Sequence, residues 1–211
     1  MKELKTKEET KDILKRLEQI YPDPETELQY SNPFELLVAV ILSAQTTDKQ
    51  VNKVTKDLFK DLKSPKDFAR LEPQELEDYI RGVGLYRNKS KYLVKTSQKI
   101  IKDYDGKVPQ SRSELMKLSG VGRKTANVVL SCAFDKDAIG VDTHVFRVAN
   151  RIGLAGSDNV EETEKELMQV IPQNLWSLAH HWLIFHGRNI CKSRTPKCDE
   201  CIINEYCNYY N

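Results

Sequence analysis

The sequence holds no apolar stretch long enough to cross a membrane. Its longest, Leu36 to Leu42, falls far short of the roughly twenty residues a spanning helix needs. The N-terminus, Met1-Lys2-Glu3-Leu4-Lys5, lacks the apolar run of a secretory signal. A cytosolic protein is expected, nucleoid-associated in a prokaryote. Alternating strand pairs are missing too, and Ala138-Ile139-Gly140-Val141 is too short to decide otherwise. No low-complexity segment and no long period occurs, which excludes a solenoid. Net charge is only +2, so overall charge points to no partner. With 211 residues the chain can bury a real core as one large domain or two small ones. It needs neither metal nor disulfide merely to fold.

What is present is helical nearly throughout. Thr6-x-x-Glu9 is a capping-box pattern ahead of Ile13, Leu14, Leu17 and Ile20, which share one helical face. Pro22 and Pro24 end that helix. Asn32-Pro33 opens the next, with an N-cap followed by proline at the first helical position. Its body from Phe34 to Leu42 is apolar all round, as a helix buried on most sides requires. Further helices are predicted at about 48–62, 65–70, 73–81, 87–104, 112–118, 122–134, 143–152, 160–170 and 174–186. Two Gly-Val-Gly triplets, at Gly82–Gly84 and Gly120–Gly122, each separate two helices and predict two similar hairpins.

Charge is unevenly spread. Between Arg81 and Lys124 stand 12 lysines and arginines against three acids, a net +9, so the remainder is net acidic. An anionic partner on one face would account for this. So would a solvated lysine-rich helix over 89–102.

Four of the five cysteines fall within 17 residues as Cys191-x6-Cys198-x2-Cys201-x5-Cys207. Structural disulfides are out of place in a cytosolic protein. A four-cysteine zinc site commonly uses two separated short pairs, and here only Cys198 and Cys201 form one. A single loop carrying all four favours one compact [4Fe–4S] cluster, with zinc as the alternative. Lys192, Arg194 and Lys197 between the first ligands would offset thiolate charge or reach phosphates. Cys132 sits apart in an apolar helix, as a small buried hydrophobe would.

Leu118-Ser119-Gly120-Val121-Gly122-Arg123-Lys124 reads as helix, tight turn, helix. Glycine permits the sharp turn and the close approach of a ligand. The unbonded N–H groups at the start of the second helix would then hold a phosphate without reading a base. An ordinary interhelical turn would look the same. Lys124 falls in that helix's first turn, where a cation opposes the dipole. It is either a phosphate contact or a nucleophilic amine. An attacking amine must be neutral, a form favoured by Arg123, by the positive helix end and by desolvation. Asp142, in Val141-Asp142-Thr143-His144, is by pattern the N-cap of the next helix. Its other reading is acid–base work or stabilisation of a cationic sugar.

In chain order, Leu42-Ser43-Ala44-Gln45-Thr46-Thr47-Asp48, Gly82-Val83-Gly84-Leu85-Tyr86, Gly120 to Asn127, Val141 to Arg147, His181-Trp182-Leu183 and the four-cysteine loop resemble the endonuclease III family. These are bifunctional DNA glycosylases with a helix–hairpin–helix and an iron–sulfur loop. The resemblance spans nearly the whole chain and implies an all-α fold of two helical domains. A six-helix barrel at 27–136 would carry the hairpin at 112–134. Residues 1–26 and 137–211 would form the iron–sulfur domain, with its cluster loop at 191–207 and the active site between the domains. It implies that Lys124 attacks the sugar and forms a Schiff base, while Asp142 supports base departure. It also implies that Gln45 and Leu85 wedge into the duplex, that Gly120, Val121, Gly122 and Arg147 contact DNA, and that Asp48 and His144 line the pocket. The substrate implied is double-stranded DNA with an oxidised or ring-saturated pyrimidine or an abasic site, bound by a monomer. The family usually has proline where Ser119 stands. Two rivals are weighed. An adenine-mismatch glycosylase would lack the lysine, carry an acid at Val40 and add a C-terminal domain. A non-catalytic iron–sulfur DNA-binding module would not need Lys124 and Asp142 together.

Overall fold

Eleven α-helices and three short 3-10 turns make up the regular structure of the computed structural model, and no strand occurs among its described residues, 4–22 and 24–211. Most of the N-terminal segment read for a secretory signal lies outside them. No described helix is long and apolar enough to cross a membrane. The chain divides into two compact units, Thr26–Lys136 and the pair Met1–Glu25 with Asp137–Asn211.

The first unit is built round α2 (Pro33–Ser43), whose residues Phe34 to Leu42 are all buried. Its start follows from local chemistry. Asn32 Oδ1 accepts from the N–H groups of Phe34 and Glu35, both at 3.0 Å, and Pro33 has no N–H to satisfy. Against it lie α3 (Asp48–Asp61), α6 (Tyr86–Tyr104) and α8 (Arg123–Phe134). The short helices α4 (Pro65–Ala69) and α5 (Pro73–Ile80) pack on α6. The predicted helix 112–118 is a single turn, α7 (Arg112–Leu115). It tightens at once, with the Leu118 N–H on the Leu115 carbonyl at 3.0 Å, so the hairpin bend begins early.

The second unit gathers α1 (Lys7–Ile20), α9 (Thr143–Ile152), α10 (Val160–Val170) and α11 (Trp176–Asn189) round a core that includes Ile13, Leu17, Val145, Leu167, Trp182 and Leu183. The Thr6–Glu9 capping box is present in both directions. Trp182 Nε1 donates to the Tyr21 carbonyl at 2.9 Å and ties α11 to the end of α1. The last helix starts two residues later than predicted and runs past Gly187 to Asn189. That glycine does not end the helix. A Cβ there would meet His144, Val148 and Arg147 at 3.1–3.2 Å, so its bare Cα lets α9 pack close.

Candidate functional site

The four cysteines of the second unit are brought round one small cavity, which His186 and Ile203 also line. None of them is in a disulfide. Each short spacer folds as a single 3-10 turn, 198–200 and 204–206, which returns the chain to the cavity at Cys201 and Cys207. Burial first, then the nearness of Cys207, Cys191 and Cys198, pushes the Cys201 thiol up to about 11 against a backbone hydrogen bond from Ile203. Such thiols ionise when a cation binds them. Among the described residues no group of three His, Cys, Asp or Glu is drawn tightly enough for one metal ion. Four thiols round a shared cavity are the donor set of a [4Fe–4S] cluster, one for each iron.

The surroundings hold that loop in place. Arg151 donates to the carbonyls of Lys192 and Ser193, both at 2.8 Å, and lies 3.6 Å from Cys191 Sγ with Tyr209 stacked 4.4 Å from its guanidinium. His186 Nε2 is 3.4 Å from Cys201 Sγ. From α1, Arg16 donates to the Ile202 carbonyl at 2.8 Å and pairs with Glu205.

At the start of α9, Asp142 is the N-cap that its pattern predicts. Its Oδ1 accepts from the N–H groups of His144 at 2.8 Å and Val145 at 2.9 Å. A carboxylate there also meets the positive end of the helix dipole. His144 Nδ1 stands 3.7 Å from Asp142 Oδ2, too long for a good hydrogen bond. Burial lowers the His144 pKa; Asp142 pulls the other way and Arg147 and Arg188 reinforce the lowering. Arg147, read as a DNA contact, is used inside the unit. Its guanidinium donates to the carbonyls of Cys191 at 3.1 Å, Gly187 at 2.9 Å and Thr143 at 3.4 Å, joining α9 to the cluster loop.

The first unit carries the hairpin. Gly120 has φ +78°, and a Cβ there would lie 3.0 Å from Tyr92. Only glycine takes that turn without strain. The Val121 side chain is buried and its N–H donates to the Leu118 carbonyl at 3.2 Å, so it closes the turn and has no N–H to offer a phosphate. Gly122 is different: its φ is ordinary and nothing lies within 4 Å of where a Cβ would stand. As the N-cap of α8 it brings no side chain of its own to the helix start. Lys124, in the first turn of α8, is exposed. The carbonyl of Ser119 accepts from the Thr96 hydroxyl of α6 at 2.8 Å, an anchor that replaces the stiffness a proline would give. Cys132, further along α8, is mostly buried, and burial pushes its thiol up to about 11.

Gln45 and Leu85 meet on this unit in the same rare backbone state, φ +56° and +57°. The left-handed region costs a residue with a side chain about 1–2 kcal/mol, and such strain gathers at functional sites. Both side chains are exposed, Leu85 by 55%. The two loops are fastened together. Thr46 Oγ1 accepts from the Gly84 N–H at 3.1 Å, and Gln50 Nε2 donates to the Gly82 carbonyl at 3.0 Å. Gly82 and Gly84 permit the approach, since a Cβ would lie 2.8 Å from Gln50 Nε2 or 3.1 Å from the Gln45 carbonyl. The two Gly-Val-Gly triplets are thus dissimilar: one serves close packing, the other a positive φ and an open helix start. Asp48 begins α3 next to its N-cap Thr47, which accepts from the Gln50 N–H.

Sequence reasoning missed Lys89. It was counted among the surface charges of the +9 segment, yet it is 3% exposed. A signal existed: Lys89, Leu93, Thr96 and Ile100 recur at helical spacing on the buried face of α6.

A helix that starts behind a glycine turn in one unit and a four-thiol loop in the other define a class. Residues 38–173 match the model of the HhH-GPD superfamily of base excision DNA repair proteins, and residues 191–207 that of the iron–sulfur binding domain of endonuclease III. The chain is 53% identical to endonuclease III of Rickettsia conorii, over 90% of each chain. It is 46% identical to that of Escherichia coli K12, over 94% of each. Among solved structures it resembles a trapped endonuclease III–DNA covalent intermediate, with TM-score 0.94 and 49% identity over 98% of this chain and 97% of the other. A thermostable thymine-DNA glycosylase superposes with TM-score 0.86 at 25% identity, over 96% and 97%. The chain belongs to the endonuclease III family. It is a base excision repair enzyme, a DNA glycosylase with AP lyase activity, and its cofactor is a [4Fe–4S] cluster.

Proposed function

We propose that the enzyme removes oxidised or ring-saturated pyrimidines from double-stranded DNA and then cuts the strand 3′ to the abasic site, acting as a monomer with Lys124 as nucleophile. The observation that carries this is the start of α8. Lys124 is exposed one residue beyond Arg123, in the first turn of a helix whose N-cap is a glycine with open space over its Cα. A phosphate held by the first N–H groups of α8 brings the sugar–phosphate chain to the amine. The 49% identical relative trapped as a covalent intermediate with DNA supports the same step in this chain.

A stacked base is out of reach of any side chain, so the target nucleotide must leave the helix, at a few kcal/mol that is smaller for a damaged base. Gln45 and Leu85 would fill the space left. The neutral amine of Lys124 attacks C1′, and the base departs with a proton. The carboxylate of Asp142, held by two N–H groups, stabilises the positive charge developing on the sugar. The C1′–O4′ bond then breaks, O4′ taking the proton, and the ring-opened sugar is held to Lys124 as an imine. A proton is lost from the neighbouring sugar carbon and the 3′ phosphate leaves by β-elimination. Asp48 and His144 would line the pocket, and Gly120 and Gly122 would shape the phosphate cradle. The Val121 N–H is used within the fold, whereas Arg147 bonds three of its five N–H groups there and would keep two for a phosphate. Cys191, Cys198, Cys201 and Cys207 would hold the cluster, whose part would be to fold the C-terminal loop, with Lys192, Arg194 and Lys197 offsetting the thiolate charge or reaching phosphates.

Borohydride reduction tests the nucleophile. Wild-type protein should be trapped on DNA bearing an abasic site or an oxidised pyrimidine, and Lys124→Ala should give at most about 1% of that yield. Equal trapping by both proteins overturns the assignment.

A further inference from the structure

We propose that Lys89 is the positioning residue of the damage-probing apparatus: it locks the Gln45 and Leu85 loops into one rigid wedge and takes no part in holding phosphate. The inference rests on the reading of Gln45 and Leu85 as the side chains that fill the gap left by an extruded nucleotide.

An ammonium group has three donors and no acceptor. All three are used here. Lys89 Nζ donates to the carbonyls of Leu42 at 2.8 Å and Ala44 at 2.6 Å, and to Thr46 Oγ1 at 3.2 Å. These acceptors flank Gln45 on both sides. The two carbonyls belong to the C-terminal end of α2, where a cation is favoured by the dipole. The main chain of the same residue serves the other loop. Its N–H donates to the Leu85 carbonyl at 3.1 Å. Thr46 Oγ1, which takes the third ammonium proton, also takes the Gly84 N–H at 3.1 Å. One residue thus touches both left-handed loops, one with its side chain and one with its backbone.

Burial lowers the Lys89 pKa and so demands that the ammonium be fully bonded, and three acceptors, one for each of its protons, favour the charged form. Lys89 is 3% exposed, and its partners are carbonyl and hydroxyl oxygens rather than a carboxylate. Removing the ammonium would leave the Leu42 and Ala44 carbonyls without this donor and release Gln45 from its strained conformation. Displacements of about 1 Å in positioning groups cost of the order of a hundredfold in rate.

The test compares two substrates. Duplex DNA with a ring-saturated pyrimidine requires the wedge, whereas an abasic site in single-stranded DNA has no stack to hold open. Lys89→Met should lose about 100-fold in single-turnover rate on the duplex and no more than about threefold in β-elimination on the single strand. Thr46→Val, at a partly exposed position, serves if Lys89→Met does not fold. It should show the same duplex-selective loss, about tenfold. Because Lys89 acts through the wedge, adding Lys89→Met to the Gln45→Ala, Leu85→Ala double variant should cost little more. Equal loss on both substrates, no loss on the duplex, or fully multiplying losses would overturn the proposal. If wild type is not trapped by borohydride on duplex DNA bearing an abasic site, the Lys124 reading fails instead.

Discussion

Replacing Asp142 separates a helix cap from a catalytic carboxylate. Its Oδ1 holds two N–H groups at 2.8 and 2.9 Å, so Asp142→Ala removes both bonds and should cost about 1 kcal/mol. For a chain of 211 residues that lowers the melting temperature by roughly 2–4 °C. Asp142→Asn keeps an oxygen at the same place, and asparagine caps as well as aspartate. Its stability should match wild type within about 0.5 kcal/mol. The charge, however, is gone. If it stabilises a cationic sugar in a site shielded from water, base release should fall about 10²–10³-fold, or roughly 3–4 kcal/mol of barrier. Melting curves and single-turnover base release at saturating enzyme would be measured on the same preparations. Stable Asp142→Asn with base release near that of wild type would refute the catalytic role. So would activity in both variants that merely tracks the folded fraction.

Glycine substitutions should divide the hairpin in two. Gly120→Ala meets Tyr92 at 3.0 Å with φ +78° and should lose at least about 2 kcal/mol in denaturant unfolding, whereas Gly122→Ala should lose only about 0.5–1 kcal/mol yet weaken DNA binding about tenfold in a titration. Acid should destabilise the fold through His181, whose pKa burial and then Arg188 lower below the ordinary 6.5. The unfolded chain binds the extra proton first, so stability is full above about pH 6.5 and falls as pH drops towards the folded-state pKa, and His181→Gln should flatten that fall in melts from pH 7 to 5. Anaerobically purified protein should be brown with about four irons per chain, and Arg151→Ala, by freeing the carbonyls of Lys192 and Ser193, should speed bleaching by a chelator; a colourless zinc protein would contradict the cluster.

Local chemistry made much of the fold legible. Thr6 with Glu9, Asn32 with Pro33, and Asp142 ahead of Val145 each satisfy helix-start donors within a few residues, so their effect is written in adjoining letters. The all-apolar run from Phe34 to Leu42 likewise required burial on every side. What escaped depends on distant partners. Gly187 looks like a stop, but α9 needs its bare Cα. Arg147 and Lys89 look like surface cations, but their partners lie about forty residues away in sequence. The Gly-Val-Gly triplets are identical as letters and differ in what stands over each Cα.

That contrast bears on how a repair site is recognised at all. Gln45, Leu85, Lys89 and Lys124 each break a local rule: two side chains in a glycine conformation, a lysine in the core, a cation at the wrong end of a helix. A sequence retains such violations where the surroundings over-determine them, and functional sites are where that happens. Asp142 breaks no rule. As an N-cap it improves the helix it serves, and its pattern alone identifies it as nothing more. Cap and catalytic carboxylate are compatible because the two tasks use different lone pairs: Oδ1 is bound by the helix, while the negative charge is shared with Oδ2. In the proposed role, the cap would fix the carboxylate's direction before any substrate arrives, so that no reorganisation would be needed as charge develops on the sugar. A residue that stabilises its own helix can therefore carry catalysis without a stability cost, and local sequence pattern cannot distinguish it from an ordinary cap.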